Sequence, residues 1–115
     1  MGKINSRQKG ARAERNLAKK LNEYGYECRR GQQFSGLHGD ADVVGLPYVH
    51  LESKHVERLN IFDAMAQSIR DARDGELPTV MHKKNNTEWL CTMRLDDWMK
   101  LYQAYELQES EEQNK

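Results

Sequence analysis

Long apolar runs are missing from this chain of 115 residues, and it does not open on the pattern of a secretory signal peptide. The expectation is a soluble, cytoplasmic protein with no membrane partner. Cysteine is scarce. Cys28 and Cys91 stand far apart, with no Cys-x-x-Cys and no Cys/His spacing beside them. That points away from a zinc site or a disulfide and toward two buried apolar side chains. His38, His50, His55 and His82 are scattered without metal-ligand spacing. There is no internal repeat and no second apolar block. One domain over residues 1–115 is expected, large enough for one core. A hydrophobic fraction of 37% against 31% charged residues makes it polar but not disordered.

Net charge is also lacking, since 18 basic residues balance 18 acidic ones. The distribution is uneven. Residues 1–30 carry nine Lys/Arg against Glu14, Glu23 and Glu27, a net of +6. Residues 95–115 carry Lys100 and Lys115 against six acids, a net of −4. Such asymmetry suggests a basic face for phosphates and an acidic end kept away from them. An ordinary solvated helix face is the competing explanation.

Periodicity divides the chain into an αβββαββα order. Residues 6–24 read as a helix with Ser6 as cap, an Ala11, Ala13, Leu17, Ala18, Leu21 stripe and Gly25 as stop. Residues 26–30, 42–44 and 48–53 read as strands, the last two a tight antiparallel hairpin around Gly45-Leu46-Pro47. A loop, GQQFSGLHG, fills residues 31–39. A second helix is expected over 61–74, capped by Asn60 and ended by Gly75, followed by strands at 79–82 and 89–93. Asp96 and Asp97 open a third helix through Trp98, Leu101, Tyr102 and Tyr105, with residues 108–115 as a polar tail. This order gives an α/β domain, a mixed sheet flanked by helices.

The chemistry gathers at Gly39-Asp40-Ala41-Asp42-Val43-Val44-Gly45 and Tyr48-Val49-His50-Leu51-Glu52-Ser53-Lys54. Side chains alternate along a strand, so Glu52 and Lys54 share a face. If the two runs are neighbours, Asp42 and Glu52 converge on one divalent cation with Lys54 beside it, and the Ser53 carbonyl is a third oxygen donor. Hard cations take carboxylate oxygens, and a lysine beside a metal-bound phosphate stabilises charge or orients water. Mg²⁺, with Mn²⁺ as substitute, suits that set, and phosphodiester hydrolysis is the matching reaction. Glu14 shares the inward stripe of the first helix and is a further acid for the site. On helix geometry alone, an edge position paired with an arginine is favoured for it. The spacing Asp-x9-Glu-x-Lys is weak by itself, and cross-strand surface decoration is the plainer reading. Asp40 is either an accessory ligand or, preferably, a turn residue.

The set Arg12-Ala13-Glu14-Arg15, Gly39 to Val44, Leu51-Glu52-Ser53-Lys54 and Gln67 resembles the PD-(D/E)XK nuclease superfamily, over roughly residues 5–95. Within it the chain is most similar to archaeal-type Holliday junction resolvases and their phage-encoded relatives. The resemblance implies a restriction-endonuclease-like αβββαβ core with an extra C-terminal helix. It implies Glu14 as the helix-one acid, Asp42 and Glu52 as metal ligands, Lys54 as the catalytic lysine and Gln67 as a polar residue near the site. Ser35 resembles a serine that resolvases present to the DNA backbone. Ala41 stands where the superfamily's name-giving proline would be, and the acidic C-terminal helix lies outside the resolvase pattern. A homodimer acting on branched DNA is implied, with flaps, nicks or other duplex DNA as alternative substrates and a non-catalytic DNA-binding module as a further alternative.

Phosphate contacts are expected from Lys9, Arg12 and Arg15 on the first helix and from Arg29, Arg30 and Gln32 before the loop. His55 is read as a solvent-exposed histidine. Trp89, Trp98 and Tyr102 are read as core or dimer contacts rather than base-stacking platforms.

Overall fold

The computed structural model describes residues 6–32 and 41–114. Its elements are α1 (Ser6–Asn22), β1 (Arg29–Arg30), β2 (Val43–Val44), β3 (Val49–His55), α2 (Ile61–Asp71), β4 (Leu77–Lys83), β5 (Leu90–Met93) and α3 (Leu95–Gln113). Ser6, expected as the cap, is instead the first residue of α1, while most of the loop, including Ser35, His38 and Gly39, and Asp40 after it lie outside what is described. The five strands form one mixed sheet in the order β1-β2-β3-β4-β5. β1, β2 and β3 are antiparallel neighbours, β3 and β4 are parallel, and β5 returns antiparallel. This is the expected α/β fold with its extra C-terminal helix, consistent with a restriction-endonuclease-like core.

Alternation of side chains splits the apolar residues between the two sheet faces. On one face Leu17 and Ala18 of α1 pack against Cys28, Val43 and Leu51, with Leu21, Val49, Met81 and Trp89 around them. On the other, Ala64 and Met65 of α2 pack on Val80, with Leu59 and Ile61 alongside. Ser68 ties α2 to the sheet. Its hydroxyl donates toward the carbonyls of His50 and Thr79 (3.2 Å each) and accepts from the Thr79 amide at 3.0 Å. The parallel β3–β4 step needs a crossover, which α2 supplies.

Boundaries moved where local chemistry outweighs periodicity. α1 stops at Asn22, two residues before its expected end. The Asn22 side chain accepts from the Cys28 amide and donates to the Cys28 carbonyl, which fixes the chain's return into the sheet. β1 is two residues long rather than five. α2 ends at Asp71 instead of 74, because Ala72 is already extended and the Arg73 amide is taken by Glu76. The Asn60 cap is present, accepting from the Asp63 amide at 3.1 Å. α3 continues to Gln113, through residues expected to form a tail; its Gln and Glu residues are good helix formers even without an apolar stripe. Cys28 is buried, whereas Cys91 is exposed, since it sits on β5 at the sheet's open edge. Trp89 is partly buried against the α1-side core, but Trp98 and Tyr102 are exposed and stack on each other, so they are not core residues. No described helix is long and apolar enough to cross a membrane.

Candidate active site

The β2–β3 hairpin sets the site by register. Val43 pairs with Leu51, so one further antiparallel step brings Asp42 opposite Glu52. The turn between them depends on Gly45, whose φ of +106° and close approach to the Glu27 carbonyl leave no room for a side chain. Asp42 is partly buried, and its Oδ2 accepts from the Ser53 amide at 2.9 Å. Glu52 is almost wholly buried. Burial, and then the charge and hydrogen bond of Glu52, push the Asp42 carboxyl up to about 7, with a further contribution from Glu14. Burial alone would also raise Glu52. Hydrogen bonds from His50 and Asp42 and the positive field of His50 and Lys54 outweigh it and hold Glu52 below its usual range. The two carboxyls therefore share a proton in the place where two carboxylates would face a cation.

Lys54 lies two residues on, on the same face as Glu52, half-buried, with its Nζ 3.5 Å from Gln67 Oε1 on α2. Glu14 approaches from α1. It is half-buried, ion-paired with Arg30 Nε and within electrostatic reach of Asp42. Both sequence-level readings of Glu14 thus meet in one place, as an edge residue bound to an arginine and as a third acid beside Asp42. Ser53 offers its backbone to the same spot, while its buried hydroxyl finds no hydrogen-bond partner among the described residues.

Of the expected phosphate contacts, Arg12 and Arg15 are exposed on α1, Lys9 is half-buried, and Arg29 and Gln32 are exposed. Arg30 is half-exposed and engaged with Glu14. Ser35 lies outside the described residues. The structure thus brings Glu14, Asp42, Glu52, Ser53, Lys54 and Gln67 together, with Arg30 joined to that group through Glu14.

Residues 5–114 match the model of the phage putative PDDEXK endonuclease family. The chain belongs to that family. Among curated proteins none matches it. Membership makes the chain one of a family of endonucleases, hydrolases that act on nucleic acid, and the PD-(D/E)XK nucleases use divalent metals. The donors at the hairpin suit such an ion: Asp42, Glu52 and the Ser53 backbone offer oxygen only, and two of them are carboxyls so close that one keeps a proton to about 7.

One neighbour of the carboxyl pair was not singled out from the sequence. His50 is buried, and its Nε2 lies 2.8 Å from Glu52 Oε1, with its Nδ1 3.7 Å from Glu76. Burial lowers its basicity, but Glu52, Glu76 and Asp71 together raise it. His50, Glu52 and Asp71 bring ligand atoms within 4.8 Å of one another. The signal was present in the sequence: the alternation that pairs Glu52 with Lys54 also places His50 on that face.

Proposed function

We propose that the chain is a single-domain, Mg²⁺-dependent endodeoxyribonuclease that cleaves branched DNA, most concretely four-way junctions, as a homodimer. The observation that carries this is the Asp42–Glu52 carboxyl pair with Lys54 on the same face, in a member of a PDDEXK endonuclease family. Asp42, Glu52 and the Ser53 carbonyl would hold the divalent ion, with Glu14 as a further acid beside it. When bound, that ion neutralises charge on the scissile phosphate and lowers the pKa of water. The chain's own residues do the rest. Lys54 places an ammonium beside the carboxylates, where it contacts a phosphate oxygen and orients the attacking water. Gln67 Oε1 steadies that ammonium from α2. His50 keeps Glu52 ionised and fixes its Oε1, which holds the carboxylate in place beside Asp42. Lys9, Arg12 and Arg15 on α1, with Arg29 and Gln32, draw the phosphate backbone across the site, and Ser35 is assigned there by resemblance. Arg30 serves through Glu14 as well as through DNA.

A four-way junction presents symmetry-related strands to be cut in pairs, and a two-fold dimer offers two matched sites. A long acidic C-terminal helix is foreign to the resolvase pattern and favours a second reading, a nuclease of flaps, nicks or replication intermediates. Cleavage of a synthetic four-way junction, compared with flap and linear duplex DNA in Mg²⁺ and in EDTA, separates the two. Preference for the junction supports resolution, and equal cleavage of all three overturns it in favour of a general nuclease.

A further inference from the structure

We propose that α3 is a self-association helix, pairing antiparallel with α3 of a second copy of this chain. Leu95, Trp98, Leu101, Tyr102 and Tyr105 recur at helical spacing and form one stripe over the first three turns. They remain between 41 and 71% exposed. Among the described residues α3 has no extensive packing on any other element, and the molecule reaches 62 Å along its longest axis against 32 and 27 Å across. At the helix start, Asp97 is buried, with Arg94 Nε at 3.1 Å and Lys100 Nζ at 3.7 Å, pairs that lie within α3 and its cap. A contiguous patch of this kind on a described surface marks a contact for another molecule.

Area and charge select the occupant. At roughly 150–250 Å² for a full aromatic side chain, the five residues leave on the order of 500 Å² exposed per copy. Flanking side chains along a helix about 28 Å long bring that toward the roughly 800 Å² per partner of a standard interface. Within residues 94–100, Arg94 and Lys100 balance Asp96 and Asp97, whereas residues 106–112 hold Glu106, Glu109, Glu111 and Glu112 with no base. Parallel pairing would set four glutamates against their own copies. Antiparallel pairing about a two-fold at Leu101 and Tyr102 instead sets residues 106–112 against residues 91–97 of the second copy, where Arg94 offsets one of two aspartates, and brings that Arg94 toward Glu109. It also lays Trp98 across from the second copy's Tyr105. The stripe is self-complementary in that one arrangement.

The pairing deepens the homodimer part of the proposed function and rests on it for its purpose, yet its test uses neither DNA nor metal. Sedimentation velocity of the full chain at micromolar to tens of micromolar concentration is expected to show a species of twice 13.4 kDa. Trp98→Glu and Leu101→Glu each weaken it by about 30-fold or more, the loss expected of a central anchor. Because these side chains are exposed in the single chain, far-UV circular dichroism and the thermal midpoint of the monomeric variants should stay close to the diluted wild type. Arg94→Glu weakens the dimer, and mixing it with Glu109→Arg restores assembly between the two variants. A wild type that stays monomeric overturns the proposal and gives the stripe to a different protein. A dimer untouched by Trp98→Glu and Leu101→Glu overturns it equally. Loss of cleavage with dimerisation intact would instead fall on the nuclease reading.

Discussion

At the scale of single residues, the decisive feature is two carboxyls forced together by burial and strand register. An unfolded aspartate releases its proton near 3.8, whereas Asp42 in the fold keeps it to about 7. Between those values the native state binds more protons than the unfolded state, so stability falls as pH rises from about 4 to about 7. In chelator, urea unfolding should show that decline, and Asp42→Asn should flatten it, gaining on the order of 2 kcal/mol over wild type near pH 7.5. Equal slopes for the two proteins would contradict the crowding at Glu52. This pair was legible in the sequence because strand alternation and a short hairpin leave few registers. Its neighbours were less so. Arg30 meets Glu14 across sixteen residues of chain, a contact that no local period encodes. His50 obeyed the same alternation as Glu52 and Lys54, but an isolated histidine carries no spacing to single it out.

At the scale of elements, the hairpin holds its ligands only if its turn holds. A Cβ at Gly45 would run into the Glu27 carbonyl and stand 2.8 Å from Cys28 Cα, on a backbone already at φ +106°. Gly45→Ala should therefore cost more than about 2 kcal/mol in urea unfolding. Gly25→Ala and Gly75→Ala, where a Cβ meets open space, carry the conformational strain alone and should cost about 1 kcal/mol. Similar losses at all three would deny the close approach of the β2–β3 turn to the backbone of Glu27 and Cys28. Element identity was readable throughout, since α1, α2 and the strands follow clean periods, while their ends were set by side chains acting across the fold. Asn22 reaching Cys28 and Glu76 reaching Arg73 are examples. The length of α3 was hidden because its apolar stripe fades after Tyr105, while helix-forming Gln and Glu carry the backbone on. Cys91 was misread as buried because a strand's pattern does not tell an edge from a centre.

At the scale of the whole molecule, zero net charge conceals a polar layout, with exposed bases on α1 and unbalanced acids along the far turns of α3. DNA binding through Arg12, Arg15 and Arg29 should weaken steeply with salt, the slope falling by about one for each arginine replaced by alanine. Fluorescence anisotropy from 50 to 200 mM salt measures this, and a salt-independent affinity would exclude a basic face. The measurement that bears most directly on the central claim is cleavage of a synthetic four-way junction in Mg²⁺ by wild type, Glu52→Gln and Lys54→Ala. Each should be shown folded and still able to bind the junction. Wild-type cleavage that EDTA stops, and that both substitutions reduce by at least about 100-fold with binding retained, is the predicted result. Undiminished cleavage by either variant would contradict it.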